Sequence, residues 1–491
     1  MTARPLSAER CGRSLATLYA LLLLTAFLLL CFGYESIAGS KTRVFLTACG
    51  GFALLTAGPA LRPSVRRKPD AATWTVLLYL ALTVLSAICS GRAAAFMGGE
   101  RRQGVMTIGL YVLSFFLLRR FLQPKQWMLD VFAAACCLFC ALGLLQLVGG
   151  NPLGLYPDGL NYYDEGKLYY GSYWSTIGNV MSCGAMLSAA VGAFSAALLC
   201  RKKTAELRYA LPLALCVFCL MELKAEGGIL AAALGLLLLP PVLVTDGRRL
   251  RNAGSLWGTG MLAVGASLAL TFYDGGVRIC PNLPAALLLV IGGGLFAWSL
   301  FPPKKCRADR RLRLWLAIVS AAVLCAATAT VYFCTTLPDG FLAETHALLH
   351  GHWDDGFGSG RLGIWRRTWE LVGQAPLLGG GADTLGLRGI SVEHYRPHLG
   401  ITVVQTVDAA HNEYLNILVN QGALALTAYL VLTVISFRRW RKSAERPSVA
   451  ICGAAALLYG LQAFFGIADC LAAPYFWLCL AVVNQRENGG I

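Results

Sequence analysis

Residues 127–149 read WMLDVFAAACCLFCALGLLQLVG, with Asp130 as the single charge. A helix needs about 20 largely apolar residues to cross the hydrocarbon core of a bilayer, and this stretch supplies them. Working outward, similar runs lie near 15–34, 44–61, 73–90, 104–118, 173–199, 208–223 and 227–245. Others lie near 255–272, 283–301, 314–336, 411–436, 449–467 and 470–485, giving fourteen candidates, several of them short. The expected fold is an all-α polytopic membrane protein of about 12–14 transmembrane helices with one long, partly helical extracytoplasmic loop. The first run follows Arg10 and Arg13 without a small-residue cleavage site and reads as a retained helix, not a signal peptide.

Composition agrees. Of 491 residues 57% are hydrophobic and 14% charged, against roughly a quarter charged in soluble domains. The 18 Cys fall mostly in apolar runs, as at Cys136, Cys137 and Cys140, and read as buried apolar residues, not a disulfide framework or zinc site. A soluble enzyme, a nucleic-acid binder and a secreted disulfide scaffold are disfavoured.

The net charge of +16 is a topology signal. With the N-terminus inside, most Lys and Arg fall in cytoplasmic segments, including Arg66-Arg67-Lys68, Arg201-Lys202-Lys203, Lys304-Lys305-Arg307 and Arg438-Arg439-Arg441-Lys442. This positive-inside bias places both termini in the cytoplasm and calls for membrane lipids, not nucleic acid, as the partner of the basic residues. The expected organisation is a transmembrane bundle over 1–337, an extracytoplasmic loop with short amphipathic helices over 338–410, and C-terminal transmembrane helices over 411–491.

All six histidines lie in that loop or at its exit: His346, His350, His352, His394, His398 and His411. Leu362, Trp365, Trp369 and Val372 recur at helical spacing, predicting a short amphipathic helix that ends near Pro376. Gly379-Gly380-Gly381 lacks the strand before and the Lys after that a phosphate loop needs, and reads as a flexible turn. His346, His350 and His352 have a spacing that could bind a metal, but no fourth ligand is evident and no metal is expected.

Two readings are open for His411. A neutral imidazole near a helix N-terminus suits a general base; the alternative is an interfacial His that caps the helix. Arg361 either grips a phosphate with its guanidinium fork or lies at the lipid-head level. Arg366 and Arg367 fit the solvated face of the Trp365/Trp369 helix. Lys224-Ala225-Glu226-Gly227-Gly228 is a short outer turn whose ionisable groups either serve function or pair to end the helix. Ser175-Thr176-Ile177-Gly178-Asn179 interrupts an apolar run, either to bind substrate or to permit close packing.

The ordered set Ser359-Gly360-Arg361, Trp365, Pro376-Leu377, Gly379-Gly380-Gly381, His411-Asn412, Leu415 and Gly422 resembles the O-antigen ligase and polymerase superfamily, bacterial membrane glycosyltransferases of the GT-C type. Ile177-Gly178-Asn179 is a weaker match. The resemblance covers 359–436 well and 173–240 loosely. It implies an enzyme that takes a glycan from an undecaprenyl-diphosphate carrier and passes it to an acceptor hydroxyl outside the bacterial cytoplasmic membrane. The acceptor would be a glycan, lipid or protein, and no cofactor is implied. His411 would be the base and Arg361 the group holding the leaving diphosphate, with Lys224, Glu226, Asn179, Arg366 and Asn412 as substrate-binding candidates. Where the family commonly carries a second phosphate-binding Arg, this chain has Lys224 to Gly228. Two other readings are a transporter or flippase of lipid-linked glycan and a non-catalytic partner in envelope assembly. The first predicts mid-membrane charges and internal repeats, and Asp130 and Asp469 sit only near helix ends.

Overall fold

The computed structural model describes residues 4–30, 37–61, 68–155, 173–273, 275–301, 310–334, 340–396 and 401–486. Arg66, Arg67, Lys304, Lys305, Arg307, Pro338 and His398 lie outside them. The N-terminal part holds α1 (Arg4–Leu24), α2 (Ala26–Leu29), α3 (Ile37–Leu61), α4 (Ala71–Ser90), α5 (Ala94–Met97), α6 (Val105–Phe121) and α7 (Gln126–Gln146). A hairpin of β1 (Tyr173–Trp174) and β2 (Gly178–Asn179) leads into α8 (Val180–Cys200), α9 (Ala210–Glu222), α10 (Glu226–Leu243) and α11 (Gly247–Ala269). Strands β3 (Leu270–Tyr273) and β4 (Gly276–Ile279) pair antiparallel before α12 (Leu283–Trp298) and α13 (Arg310–Phe333). Then come α14 (Phe341–Leu349), α15 (Arg361–Val372) and an antiparallel hairpin of β5 (Ser391–Arg396) and β6 (Ile401–Thr406). The chain closes with α16 (Glu413–Ser443), α17 (Pro447–Gln462) and α18 (Ala473–Val483).

Every one of the fourteen apolar runs holds a helix. Among the described residues, nine helical stretches are long and apolar enough to cross a membrane, and α12 and α18 are shorter apolar helices. The remaining runs fall on α3, α6 and α11. Helix α6 has 17 residues, while α3 and α11 carry Lys41 and Arg43, or Arg248, Arg249 and Arg251, in their first turns. The protein is thus an all-α polytopic membrane protein. Helix α8, built of Ala, Ser, Gly and Leu, is buried along its whole apolar length against α9, α10, α11 and α17, as small residues on all sides allow. Ser175 and Thr176 are fully buried: their hydroxyls donate to Phe139 O at 2.7 Å and Leu28 O at 2.7 Å.

At one end of the bundle the start of α4 meets the ends of α6, α16 and α18. Asp70, the N-cap of α4, accepts from Arg119 and from Arg439 at 2.6 Å, with Arg486 at 3.4 Å. Arg119 also donates to Asn484 O at 2.7 Å. The Arg119 side chain is 9% exposed, and a charge so buried is costly without its partner. Asp70→Ala is expected to remove about 2–3 kcal/mol of stability, read as a thermal midpoint several degrees lower in detergent. An unchanged midpoint would show that Asn484 suffices.

Helix α16 breaks at Gly422, whose φ is 85° and ψ 171°. The 376–381 segment fills the break. Ala423 N donates to Pro376 O at 2.9 Å, while Gly380 N and Gly381 N donate to Val419 O at 3.1 Å and Asn420 O at 2.8 Å. The glycine run expected to be a flexible turn is instead bonded into α16, because the broken helix leaves carbonyls that need donors. A Cβ at Gly422 would lie 2.2 Å from Leu377 O, in a left-handed conformation that L-residues rarely adopt. Gly422→Ala is expected to cost about 3 kcal/mol and to lower both yield and thermal midpoint. A wild-type midpoint would mean the break relaxes without strain.

Candidate active site

The site lies at the bundle end opposite Asp70, where α8, α10 and α16 begin and α15 packs on α16. Asn412 caps α16, its Oδ1 accepting from Leu415 N at 3.0 Å, so His411 is not the cap. His411 precedes it in a left-handed conformation, φ 51°. Its neighbourhood is tied down on each side. Trp365 Nε1 of α15 donates to Ala410 O at 2.9 Å, and Ala410 N donates to Asn416 Oδ1 at 3.1 Å. Glu413, buried, accepts from Tyr429 at 2.5 Å and Tyr459 at 3.1 Å.

His411 Nδ1 lies 3.2 Å from Met181 Sδ on the first turn of α8. A thioether sulfur accepts weakly and donates nothing, so this contact suits a proton on Nδ1 and leaves Nε2 as the basic nitrogen. Burial pushes the imidazole down to about 4, and Arg101 and Arg361 act in the same direction against Asp408. The ring is therefore neutral at ordinary pH.

Arg361 opens α15 after a tight turn in which Gly358, Ser359 and Gly360 all have positive φ. Glycine tolerates this conformation, and the turn swings the guanidinium back toward α10. Arg361 Nη1 donates to Gly358 O at 2.7 Å and lies 3.7 Å from Glu226 Oε2. Its buried Nε makes no hydrogen bond among the described residues. Burial lowers the Arg361 pKa, opposed by Glu226 and Glu344; an arginine keeps its charge through such a shift. The guanidinium faces a cavity of about 720 Å³ lined in part by Met181, Glu222, Lys224, Glu226, Ser359 and Gln462. Met181, which His411 touches, belongs to that lining.

The other sequence candidates divide. Lys224 and Glu226 line this cavity, and Glu226 pairs with Arg361, not with Lys224. Asn179 caps α8, its Oδ1 accepting from Met181 N at 2.9 Å and Ser182 N at 3.1 Å. Arg366 pairs with Asp355 and, with Asn412, lines a separate apolar groove beside Trp365 and Trp369. The His346 and His350 rings lie 4.2 Å apart, tilted by 40°, and His350 stacks on Tyr332 at 4.3 Å. Among the described residues, no group of three His, Cys, Asp or Glu is placed to hold a metal ion.

Sequence reasoning missed Arg101 and Asp408. They form an ion pair, Arg101 Nε to Asp408 Oδ2 at 2.7 Å, and both act on the His411 charge. Asp408 stands three residues before His411, a proximity visible in the sequence. Nothing local connects either residue to Arg101.

What this arrangement can do is hold an anion at Arg361 in the cavity and accept a proton at His411, which touches the wall of that cavity at Met181. No curated protein matches the chain. Residues 284–430 match the family model described as O-antigen ligase, from α12 to beyond the Gly422 break. That stretch contains both Arg361 and His411, and over it the chain is similar to the O-antigen ligase family.

Proposed function

We propose that the protein transfers or polymerises a glycan from an undecaprenyl-diphosphate carrier onto an acceptor hydroxyl at the outer face of the bacterial cytoplasmic membrane. In this reading both termini are cytoplasmic and the 338–410 segment is extracytoplasmic. The observation that carries it is the placement of Arg361 in the cavity wall and of a half-buried, neutral His411 against Met181 of the same wall. The acceptor oxygen attacks the anomeric carbon and the bond from that carbon to the diphosphate oxygen breaks. His411 Nε2 takes the hydroxyl proton, and the carrier diphosphate leaves with the electron pair while Arg361 balances its charge. Lys224 adds a point charge to the same wall. Glu226, beside Arg361, accepts from sugar or acceptor hydroxyls.

The test is transfer from purified undecaprenyl-diphosphate glycan to acceptor in proteoliposomes, with and without chelator. A new glycosidic bond, insensitive to chelator and lost on substitution of His411 or Arg361, supports the reading. Movement of the carrier across the bilayer with no new bond would replace it with a flippase.

A further inference from the structure

A second cavity, of about 540 Å³, lies at the Asp70 end of the bundle. Helices α7 and α8 show that it is distinct from the candidate active site. Leu147, after α7, and Val180 and Met181 of α8 line the site cavity, while Gln126, at the start of α7, and Ala189 to Cys200 line this one. Its α8 wall is the stripe Ala189, Ala193, Ala197 and Cys200, spaced to share one helix face. Short side chains there leave room that larger ones would fill. The stripe extends about 16 Å along the helix, flanked by Phe132 and Ile451.

The mouth has a different chemistry. Lys125, Lys202 and Lys203 line it and are exposed, with Glu206 as the one acid beside them. Glu206 is already engaged, its Oε2 accepting from Lys202 N at 2.7 Å. Deeper in, Tyr475 lines the wall, 4% exposed, and its hydroxyl has no hydrogen-bond partner among the described residues. A buried hydroxyl without a partner is costly, and a ligand carbonyl would satisfy it.

An apolar shaft, one hydroxyl inside it and a basic rim match an amphiphile with an anionic head, an ester and a hydrocarbon tail. We propose that this cavity binds one acyl chain of an anionic phospholipid whose phosphate is held by Lys125, Lys202 and Lys203. The second chain stays in the bilayer. The occupant is a phospholipid and not the donor carrier, because the cavity lies at the bundle end remote from Arg361 and His411. The lipid serves as a structural ligand that fills the space between α7, α8 and α18.

The test uses the full-length protein, purified and delipidated in detergent, and counts lipid adducts by native mass spectrometry. Probes are phosphatidylglycerol, phosphatidylcholine of the same chains, and undecaprenyl phosphate. Phosphatidylglycerol retention at least about tenfold above phosphatidylcholine is expected. Lys125→Ala, Lys202→Ala and Lys203→Ala together should bring it to the phosphatidylcholine level, and Ala193→Phe should abolish it. Tyr475→Phe, which removes only the hydroxyl, should lower retention severalfold and serves where Ala193→Phe fails to fold. Equal retention of the two phospholipids, full retention in folded variants, or preferential retention of undecaprenyl phosphate would each overturn the assignment.

Discussion

His411→Ala lowers the rate of glycan transfer by about 10²- to 10⁴-fold, with the protein expressed and folded as the wild type. The expectation rests on three local facts. The imidazole is half-buried and neutral, its Nδ1 is engaged by Met181, and its backbone is held in a left-handed conformation by the capped start of α16. The loss falls on kcat, because the residue meets the acceptor proton and not the diphosphate. The KM for the lipid-linked donor stays within a few-fold. His411→Gln retains a hydrogen-bonding side chain without a basic nitrogen and is expected to be as inactive as Ala. A well-folded His411→Ala protein that turns over near the wild-type rate would remove the base from the mechanism and leave His411 as a packing residue.

What could be read from the sequence was what is local to it. Apolar length is a property of a continuous stretch, so each of the fourteen runs holds a helix. Asn179 and Asn412, substrate-binding candidates by the resemblance, cap α8 and α16. The ordered motif singles out Arg361 and His411, and Met181, which His411 touches, lines the cavity that Arg361 faces. The glycine run at 379–381 was misread because its meaning depends on a distant partner. Seen alone it is a turn, but set against the α16 break it is a row of donors. The Arg101–Asp408 pair joins residues 307 positions apart and carries no periodic signal. Lys41 is a further case. It is 1% exposed, its Nζ donating to Phe27 O at 2.7 Å and Leu28 O at 2.9 Å, where α2 ends and its carbonyls lack helical partners. A lysine in the first turns of an apolar helix gives no hint of that distant acceptor.

Arg361→Ala is expected to lower kcat/KM by about 10²- to 10³-fold, since the guanidinium is the strong anion-binding group facing the cavity. Arg361→Lys should recover part of the loss, keeping the charge but losing the planar fork that can hold two phosphate oxygens. The pH profile separates this role from mere packing. In the wild type, burial first and then the charges of Arg101 and Arg361 press His411 down to about 4. The base is protonated, and inactive, only below that value, so the acid limb of kcat/KM lies near or below pH 4 as far as His411 sets it. Removing the positive charge of Arg361 relieves one cause of the depression, so the His411 pKa rises and the acid limb of the residual activity moves to higher pH. Arg101→Gln should shift it in the same direction, since it removes a positive charge and leaves Asp408 unneutralised, while the phosphate grip of Arg361 stays in place. By the same electrostatics a bound diphosphate offsets the two arginines, so donor binding itself makes His411 a stronger base, and the limb of kcat should lie above that of kcat/KM. An acid limb that stays put in both variants would separate His411 from these arginines, and near-wild-type kcat/KM in Arg361→Ala would take the leaving group elsewhere.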